Sequence, residues 1–123
     1  MKPLILLIED DDMMRSTIFE ILEIENFNVV SAGDGILGLR LAKEMQPDLI
    51  ICDVNIPLLN GFGVLQSLRE SLTIANIPFI FLTCENNPET RHRAMQLGAN
   101  SYLTKPVTIS KLLETIKANT LVH

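Results

Sequence analysis

The sequence predicts an α/β fold in which a five-stranded parallel sheet carries helices on both faces. Short apolar runs recur along the chain, and segments whose apolar residues are three and four positions apart lie between them. Apolar runs bounded by turn residues are typical of strands buried on both sides of a parallel sheet. Strands that alternate with helices are joined by right-handed crossovers, so the carboxyl ends of all the strands are expected at one edge.

The third predicted strand is the clearest of the five. Its apolar run Leu49–Cys52 passes directly into Asp53, and the chain then enters a loop rich in proline, asparagine and glycine. Pro78 is compatible with the beginning of the fourth strand, although it lacks an amide hydrogen. The other four expected strands are Leu4–Ile8, Asn28–Ala32, Ile77–Leu82 and Ser101–Thr104.

Five helices are predicted after these strands, each with apolar residues on one face. Pro47 ends the second helix and pushes Gln46 out of the α region, and Gly98 ends the fourth as a left-handed cap. Capping residues or a favourable first turn mark four of the helix starts, at Asp11 or Asp12, Asp34, Asn87 with Pro88, and Thr108.

Composition and charge limit the class of protein. The 123 residues are 47% hydrophobic and 20% charged, which is typical of one soluble globular domain. We expect its core at about residues 3–118, with residues 119–123 as a tail or the start of a linker. The net charge of −5 argues against direct binding of nucleic acid, which needs a basic face.

Apolar runs and cysteines bear on the compartment. The run Leu4–Ile8 is too short to span a membrane, and the features of a signal peptide are missing. Cys52 and Cys84 lie in apolar, strand-like contexts without metal-ligand spacing. We therefore expect two buried free thiols, a cytoplasmic location and no membrane attachment.

The predicted strands bring chemically active residues to one edge of the sheet. Glu9 and Asp10 follow the first strand, Asp53 the third, and Thr83 and Lys105 the fourth and fifth. Helix capping by Asp11 or Asp12 accounts for one or two of the acids after the first strand and leaves Glu9 and Asp10 unexplained. Asp53 taken alone could simply cap a turn. Such a convergence indicates a functional site, because ligands of open α/β sheets bind beyond the carboxyl ends of the strands.

Three ionised carboxylates in one crevice are unfavourable unless raised pKa values, a cation or Lys105 relieve their repulsion. Two carboxylates about 4 Å apart repel each other by roughly 4 kcal/mol at an effective dielectric constant near 20. Mg²⁺ suits hard oxygen ligands with room for water, and Mn²⁺ could replace it. Lys105 can act as a point charge on an incoming oxyanion, and the Thr83 hydroxyl can donate a hydrogen bond to it. The set is typical of phosphoryl transfer, in which a carboxylate can be the attacking group.

Four segments in order make the sequence resemble a receiver domain of the bacterial response-regulator family over essentially its whole length. They are residues 7–11, 47–57, 80–83 and 98–106. The resemblance implies a doubly wound, flavodoxin-like sheet of order 2-1-3-4-5. It also implies that Asp53 is the phosphoacceptor and that the donor is a histidine kinase or a histidine phosphotransfer protein.

The resemblance assigns roles to the other site residues. Asp10 would bind Mg²⁺ directly, Glu9 through water, and Asn55 through its backbone carbonyl. Lys105 would pair with the phosphoryl group, with a cis bond to Pro106. Thr83 would follow the phosphate and Tyr102 would rotate inward with it, which would alter the face formed by the fourth helix, fifth strand and fifth helix. That face would bind a downstream protein, an attached output domain or a second copy of the chain.

Three positions concern the rate of phosphorylation and its reversal. Asn55 and Glu85 occupy the two family positions that tune attack by water, and they predict a phosphoryl lifetime of seconds to minutes. Both could also be ordinary solvated loop residues. Cys84 stands where the family usually has Ala, Ser or Gly, so it could narrow the path to the phosphate.

Other classes of protein fit less well. A pseudo-receiver that binds partners without phosphorylation is the main alternative. A haloacid-dehalogenase-type phosphohydrolase needs a second acid where Asn55 stands, and a flavodoxin-like nucleotide site would be repelled by the acids Glu9–Asp12. Apart from self-phosphorylation and autodephosphorylation, we therefore expect no enzyme activity. No output segment follows residue 118, so we expect either a stand-alone regulator or part of a longer chain.

Overall fold

A computed structural model describes residues 2–120 and shows five strands and five helices in strict alternation. In chain order they are β1 (Leu4–Ile8), α1 (Asp12–Ile24), β2 (Asn28–Ala32), α2 (Gly35–Met45), β3 (Leu49–Cys52), α3 (Gly61–Arg69), β4 (Phe79–Thr83), α4 (Pro88–Gln96), β5 (Ser101–Thr104) and α5 (Ile109–Thr120). In this part of the chain no helix is both long and apolar enough to cross a membrane.

The five strands form one parallel sheet in the order β2-β1-β3-β4-β5. The predicted doubly wound fold and its strand order are therefore confirmed. From β1 the chain first adds β2 on one side and then crosses back to add β3, β4 and β5 on the other. The crevice between the ends of β1 and β3, where this order reverses, is the expected ligand site of such a fold.

Alternate residues of each strand enter two separate cores, as the period of two in a strand requires. One core packs α1 and α5 against the sheet through residues such as Ile18, Leu22 and Ile116. The other packs α2, α3 and α4 against the opposite face, with Leu65 and Phe81 at its centre. Both faces are covered, which explains why the strands read as continuous apolar runs.

Most helix boundaries follow the predicted signals. Asp11 caps α1 by accepting from the Met14 amide, Asp34 caps α2, and Asn87 caps α4 ahead of Pro88. Gln46 adopts the left-handed conformation before Pro47, with φ of 46°.

Two predicted boundaries differ from the structure. β4 begins at Phe79 instead of Ile77, because the Ile77 amide donates to the Ile74 carbonyl in a preceding turn, and the strand includes Thr83. α5 runs to Thr120, so residues 119 and 120 of the expected tail are helical. Residues 121–123 of that tail lie outside the described residues.

Arg69 joins α3 to the segments that precede β4 and β5, at the edge opposite the candidate site. Its Nη1 donates to the carbonyls of Ala75 and Ile77, at 2.9 and 2.6 Å. Its Nε and Nη2 donate to the Gly98 carbonyl, and Nη2 also donates to Asn100 Oδ1. All five donors of the guanidinium are thus used, which joins the end of α3 to the approaches of β4 and β5.

Replacing Arg69 by Met is expected to lower the free energy of unfolding by about 2 kcal/mol, because hydrogen bonds to a charged group are lost and carbonyls are left unpaired. Urea denaturation of the unmodified and variant chains measures this difference. Arg40→Met, which removes an exposed arginine from α2, should change it by less than about 0.5 kcal/mol. Equal effects of the two substitutions would contradict the assigned role.

Candidate functional site

Strand register places two of the predicted acids side by side. Ile8 in β1 pairs with Cys52 in β3, so Glu9 and Asp53 follow on neighbouring strand ends. The Asp53 amide donates to the Ile8 carbonyl at 3.1 Å, which keeps the segments after β1 and β3 aligned beyond the ends of these strands. Glu9 is 3% exposed and Asp53 8%. Two carboxylates are therefore held together in a poorly solvated place.

Lys105 supplies the cation between these carboxylates. Its Nζ donates to Glu9 Oε1 at 2.6 Å and to Asp53 Oδ2 at 3.0 Å. Burial opposes the charged amine, but the hydrogen bonds and charges of the two acids outweigh burial and raise the pKa of Lys105. The Lys105 amide donates to the Thr83 carbonyl at 2.8 Å, and the peptide bond from Lys105 to Pro106 is cis.

Glu9 is held through both its side chain and its backbone. Its Oε2 accepts from the Asp11 amide at 3.1 Å. Its carbonyl accepts from Nη1 of Arg15, a residue of α1, at 2.8 Å. Asp10, the next residue, is exposed and lines the open cleft above the site.

The acids at this edge fit a magnesium site without forming a closed cage. Within residues 2–120, no three His, Cys, Asp or Glu side chains converge closely enough to hold an ion. The Lys105 ammonium stands between Glu9 and Asp53. Mg²⁺ keeps several waters and needs only one or two protein carboxylates. Asp10, Asp53 and the Asn55 carbonyl, with Glu9 acting through water, match that demand in ligand type, and their joint coordination stays a prediction.

The loop after β3 is closely packed around Asp53. Asp53 Oδ1 accepts from the Asn55 amide at 3.3 Å. Leu58, with φ of +70°, is the centre of a strained γ-turn closed by a 2.8 Å hydrogen bond between its two neighbours. Gly61 lies so close to the Asp53 carbonyl that any side chain there would clash. Asn60 caps α3 by accepting from the Gly63 amide at 2.9 Å.

Thr83, Glu85 and Asn55 form a second polar group beside Asp53. The Thr83 side chain is fully buried, and its Oγ1 accepts from the Glu85 amide at 3.2 Å. Asn55 Nδ2 donates to Glu85 Oε2 at 3.5 Å. The two predicted tuning residues therefore face each other across the mouth of the site. For residues 2–120, no hydrogen bond joins Asp53 to Asp10 or to the Thr83 hydroxyl.

Tyr102 points inward in this structure. Its side chain is 4% exposed, and its hydroxyl donates to the Glu85 carbonyl at 2.7 Å. Burial and the charges of Glu85 and Asp53 raise the pKa of Tyr102. Arg91 of α4 lies 5.7 Å from the centre of the ring and donates to the Tyr102 carbonyl. A continuous chain of contacts thus leads from Thr83 through Glu85 to Tyr102 and α4.

The prediction that both thiols are buried is wrong for Cys84. It is exposed, whereas Cys52 is buried as expected. β4 ends at Thr83, so Cys84 already belongs to the loop that borders the cleft, and its apolar upstream sequence misled the prediction. The cleft has a volume of about 780 Å³ and is lined by Asp53, Lys105, Cys84 and the acidic residues after β1.

Sequence reasoning did not identify two arginines near the site. Arg15 holds the Glu9 carbonyl and Arg91 stacks on Tyr102. Both lie on helices among other charged residues, which is also the pattern of a solvated face. A signal for Arg15 existed, since helical side chains reach back over the preceding turn, toward the acids.

Only one of the two thiols is expected to react with a thiol reagent in the native protein. Cys84 is exposed, whereas Cys52 is fully buried and its pKa is raised by burial and by the charges of Asp53 and Glu9. Titration with a chromogenic disulfide should therefore count one thiol in the native chain and two in denaturant. Cys84→Ser should show none before denaturation, and a second fast native thiol would contradict the structure.

Comparison with known proteins agrees with this arrangement. The family model described as the response regulator receiver domain matches residues 5–117. The DNA-binding transcriptional regulator RpaA of Synechocystis is 37% identical over 116 residues, which cover 94% of this chain and 48% of RpaA. A probable chemotaxis protein CheY of Rhizobium etli is 36% identical over 115 residues, which cover 93% of this chain and 89% of that protein. The chain spans about half the length of the first curated relatives that it matches, from 48% to 54%.

Solved structures show the same fold. The chemotaxis protein CheY4 of Vibrio cholerae superposes with a TM-score of 0.91 at 28% identity, covering 97% of this chain and 99% of that one. The receiver domain of a sensor histidine kinase from Pseudomonas aeruginosa superposes with a TM-score of 0.90 at 28% identity, covering 98% of both chains. That structure has a magnesium ion coordinated in its active site cleft. The chain described here belongs to the response regulator receiver domain family.

Proposed function

We propose that this receiver domain is a signalling switch whose Asp53 accepts a phosphoryl group. The observation that carries the proposal is the buried contact of Lys105 with Asp53 and Glu9 at the carboxyl edge of the sheet. A carboxylate that borders an open cleft beside a fixed cation is well placed to attack a phosphorus atom whose oxygens are negatively charged.

The transfer needs position and charge more than it needs acid or base groups. One Asp53 carboxylate oxygen forms a bond to the phosphorus of a phosphohistidine while the bond between phosphorus and the imidazole nitrogen breaks. The electron pair stays on the imidazole, which takes up a proton from water. The donor is a histidine kinase or a histidine phosphotransfer protein. During transfer the Lys105 ammonium moves its hydrogen bond from the carboxylate to a phosphoryl oxygen.

The acids around Asp53 serve to hold a divalent cation. Asp10, Asp53 and the Asn55 carbonyl would bind Mg²⁺ directly and Glu9 through water, and Mn²⁺ could replace it. When bound, the ion neutralises charge on the phosphoryl oxygens. Glu9 and Asp10 are the residues whose charge makes this edge attract a cation.

Phosphorylation acts on the rest of the domain through Thr83. The new group adds about one negative charge and new acceptor oxygens. The Thr83 hydroxyl, which accepts from the Glu85 amide in this structure, then donates to a phosphoryl oxygen. Because the Glu85 carbonyl holds the Tyr102 hydroxyl, the change reaches the α4-β5-α5 face. That face binds a downstream protein, an attached output domain or a second receiver.

In this role the chain is a phosphoprotein and not an enzyme with a substrate of its own. Its only reactions are self-phosphorylation from a small donor and autodephosphorylation. A cytoplasmic location agrees with an exposed free thiol at Cys84, which a reducing compartment preserves.

Incubation with acetyl phosphate and Mg²⁺ is expected to add the mass of one phosphoryl group, because Asp53 is reachable from the cleft. Intact-mass spectrometry measures the addition. Asp53→Asn should abolish it, and chelation of the metal should prevent it. Asp48→Asn, which changes an aspartate at the opposite edge of the sheet, is the matched control and should be phosphorylated normally.

If acetyl phosphate adds no mass, a second test is needed. Cys84 could exclude this donor from the cleft, or the phosphoryl group on Asp53 could hydrolyse before the mass is measured. The complex with beryllofluoride and Mg²⁺ imitates the phosphorylated carboxylate and does not decay by hydrolysis. If neither acetyl phosphate nor beryllofluoride modifies the chain, the phosphoacceptor proposal is wrong, and a pseudo-receiver that binds partners independently of phosphorylation replaces it.

Asn55 and Glu85 are expected to speed hydrolysis of the acyl phosphate, because their polar groups meet beside Asp53 and can orient a water. Asn55→Met and Glu85→Ala should each slow the decay on the order of tenfold, as expected when an attacking group loses its orientation. The measurement is the loss of phosphoryl mass after the donor is removed. Glu89→Ala, an exposed change on α4, should leave the decay rate unaltered. A decay rate that is the same in all four proteins would contradict the assignment.

A further inference from the structure

We infer that Arg15 is a positioning residue for the acidic loop Glu9–Asp11, and that its guanidinium raises the affinity of this edge for Mg²⁺. The inference rests on the proposed function, because it concerns the cation that the acids would hold. It assigns a role in metal binding to a side chain that is itself positively charged.

The guanidinium of Arg15 donates one hydrogen bond in a sheltered place and another to a solvent-exposed side chain. Nη1 donates to the Glu9 carbonyl at 2.8 Å, and Nη2 donates to Asp12 Oδ1 at 2.7 Å. The Arg15 side chain is 24% exposed, whereas that of Asp12 is 91% exposed. An exposed ion pair adds little to stability, so the sheltered contact with the Glu9 carbonyl is the one that matters.

The Glu9 carbonyl belongs to the peptide plane that leads into Asp10. Because the peptide group is rigid, fixing its oxygen also fixes the direction in which the chain reaches the Asp10 Cα atom. Asp10 is exposed, and β1 has already ended before it. Arg15 therefore holds the exposed acid in place from a distance, through the backbone of its neighbour.

The remaining polar groups of Glu9 already have partners. Its amide donates to the Ala32 carbonyl at 3.0 Å, and its carboxylate accepts from the Asp11 amide and from Lys105. The contact with Arg15 completes this set. The guanidinium also lies near Gly33, where an added Cβ would be 3.3 Å from Nη1.

If Arg15 acted only through its charge, its loss would change the affinity for Mg²⁺ in the opposite direction from the loss of a positioning residue. Removing a cation near a metal site should by itself strengthen binding of Mg²⁺. Removing a group that orients the ligands should weaken it, and such partners of metal ligands typically contribute a factor of about 10 to 100 in affinity. A weaker affinity after the loss of positive charge is therefore specific to the positioning role.

The test is the dissociation constant of Mg²⁺, measured by isothermal titration calorimetry on the whole chain. Arg15→Gln should raise the constant at least about tenfold. Arg15→Lys keeps the charge but has no planar fork, so its constant should lie between those of the unmodified chain and Arg15→Gln. Arg40→Gln removes an equal charge from an exposed position on α2 and should leave the constant unchanged or slightly lower.

The outcomes separate the two ideas. If the unmodified chain binds Mg²⁺ and Arg15→Gln binds it as tightly or more tightly, the positioning role is wrong while the proposed function stands. If the unmodified chain does not bind Mg²⁺, the metal site fails and this inference fails with it. Thermal unfolding monitors the fold of each variant, and if Arg15→Gln does not fold, an unchanged constant in Arg15→Lys overturns the inference.

Discussion

The structure of the site depends on one buried cation that two carboxylates share. Lys105 follows β5, and its ammonium reaches past the end of β4 to Asp53 after β3 and to Glu9 after β1. A long, unbranched side chain is needed to span that distance. Without the ammonium, two poorly solvated negative charges would face each other, and breaking a buried ion pair from one side typically costs about 3–5 kcal/mol.

The same contact explains why this edge can respond to a change of charge. The Lys105 ammonium is the counter-ion of Asp53 and Glu9 in this structure, so the position of the lysine depends on the charge of these two acids. Arg15 differs from Lys105 in this respect, because it binds the Glu9 carbonyl and contacts neither the Glu9 nor the Asp53 carboxylate. Lys105 thus compensates the charge of these two acids, whereas Arg15 contacts the backbone beside them.

Sequence reasoning recovered the fold and the meeting of Glu9, Asp53 and Lys105 at one edge, because these features are encoded locally. Apolar runs such as Leu49–Cys52 define the strands, and strand ends share one edge by topology. The exposure of Cys84 and the start of β4 were mispredicted, since both depend on where a turn stops and a strand begins. The tertiary contacts of Arg69 could not be predicted, because the carbonyls that it binds are brought near only by folding and carry no sequence signal. The contact of Arg15 with the Glu9 carbonyl is more local, and the place of Arg15 in the first turn of α1 was an available signal.

The helix that lies beyond Tyr102 is held to the sheet by few buried side chains. Of the nine residues of α4 only Ala94 is buried, so little apolar area fastens it to the sheet. Two arginines hold it instead, with Arg91 over the Tyr102 ring at 5.7 Å and Arg93 over the Phe62 ring at 4.4 Å. Cation–π contacts at exposed positions contribute only about 0.5–1 kcal/mol each. Regions with few buried apolar contacts open locally at low free energy. Because Arg91 lies over Tyr102, the polar contacts that start at Thr83 reach a helix that is weakly packed against the sheet.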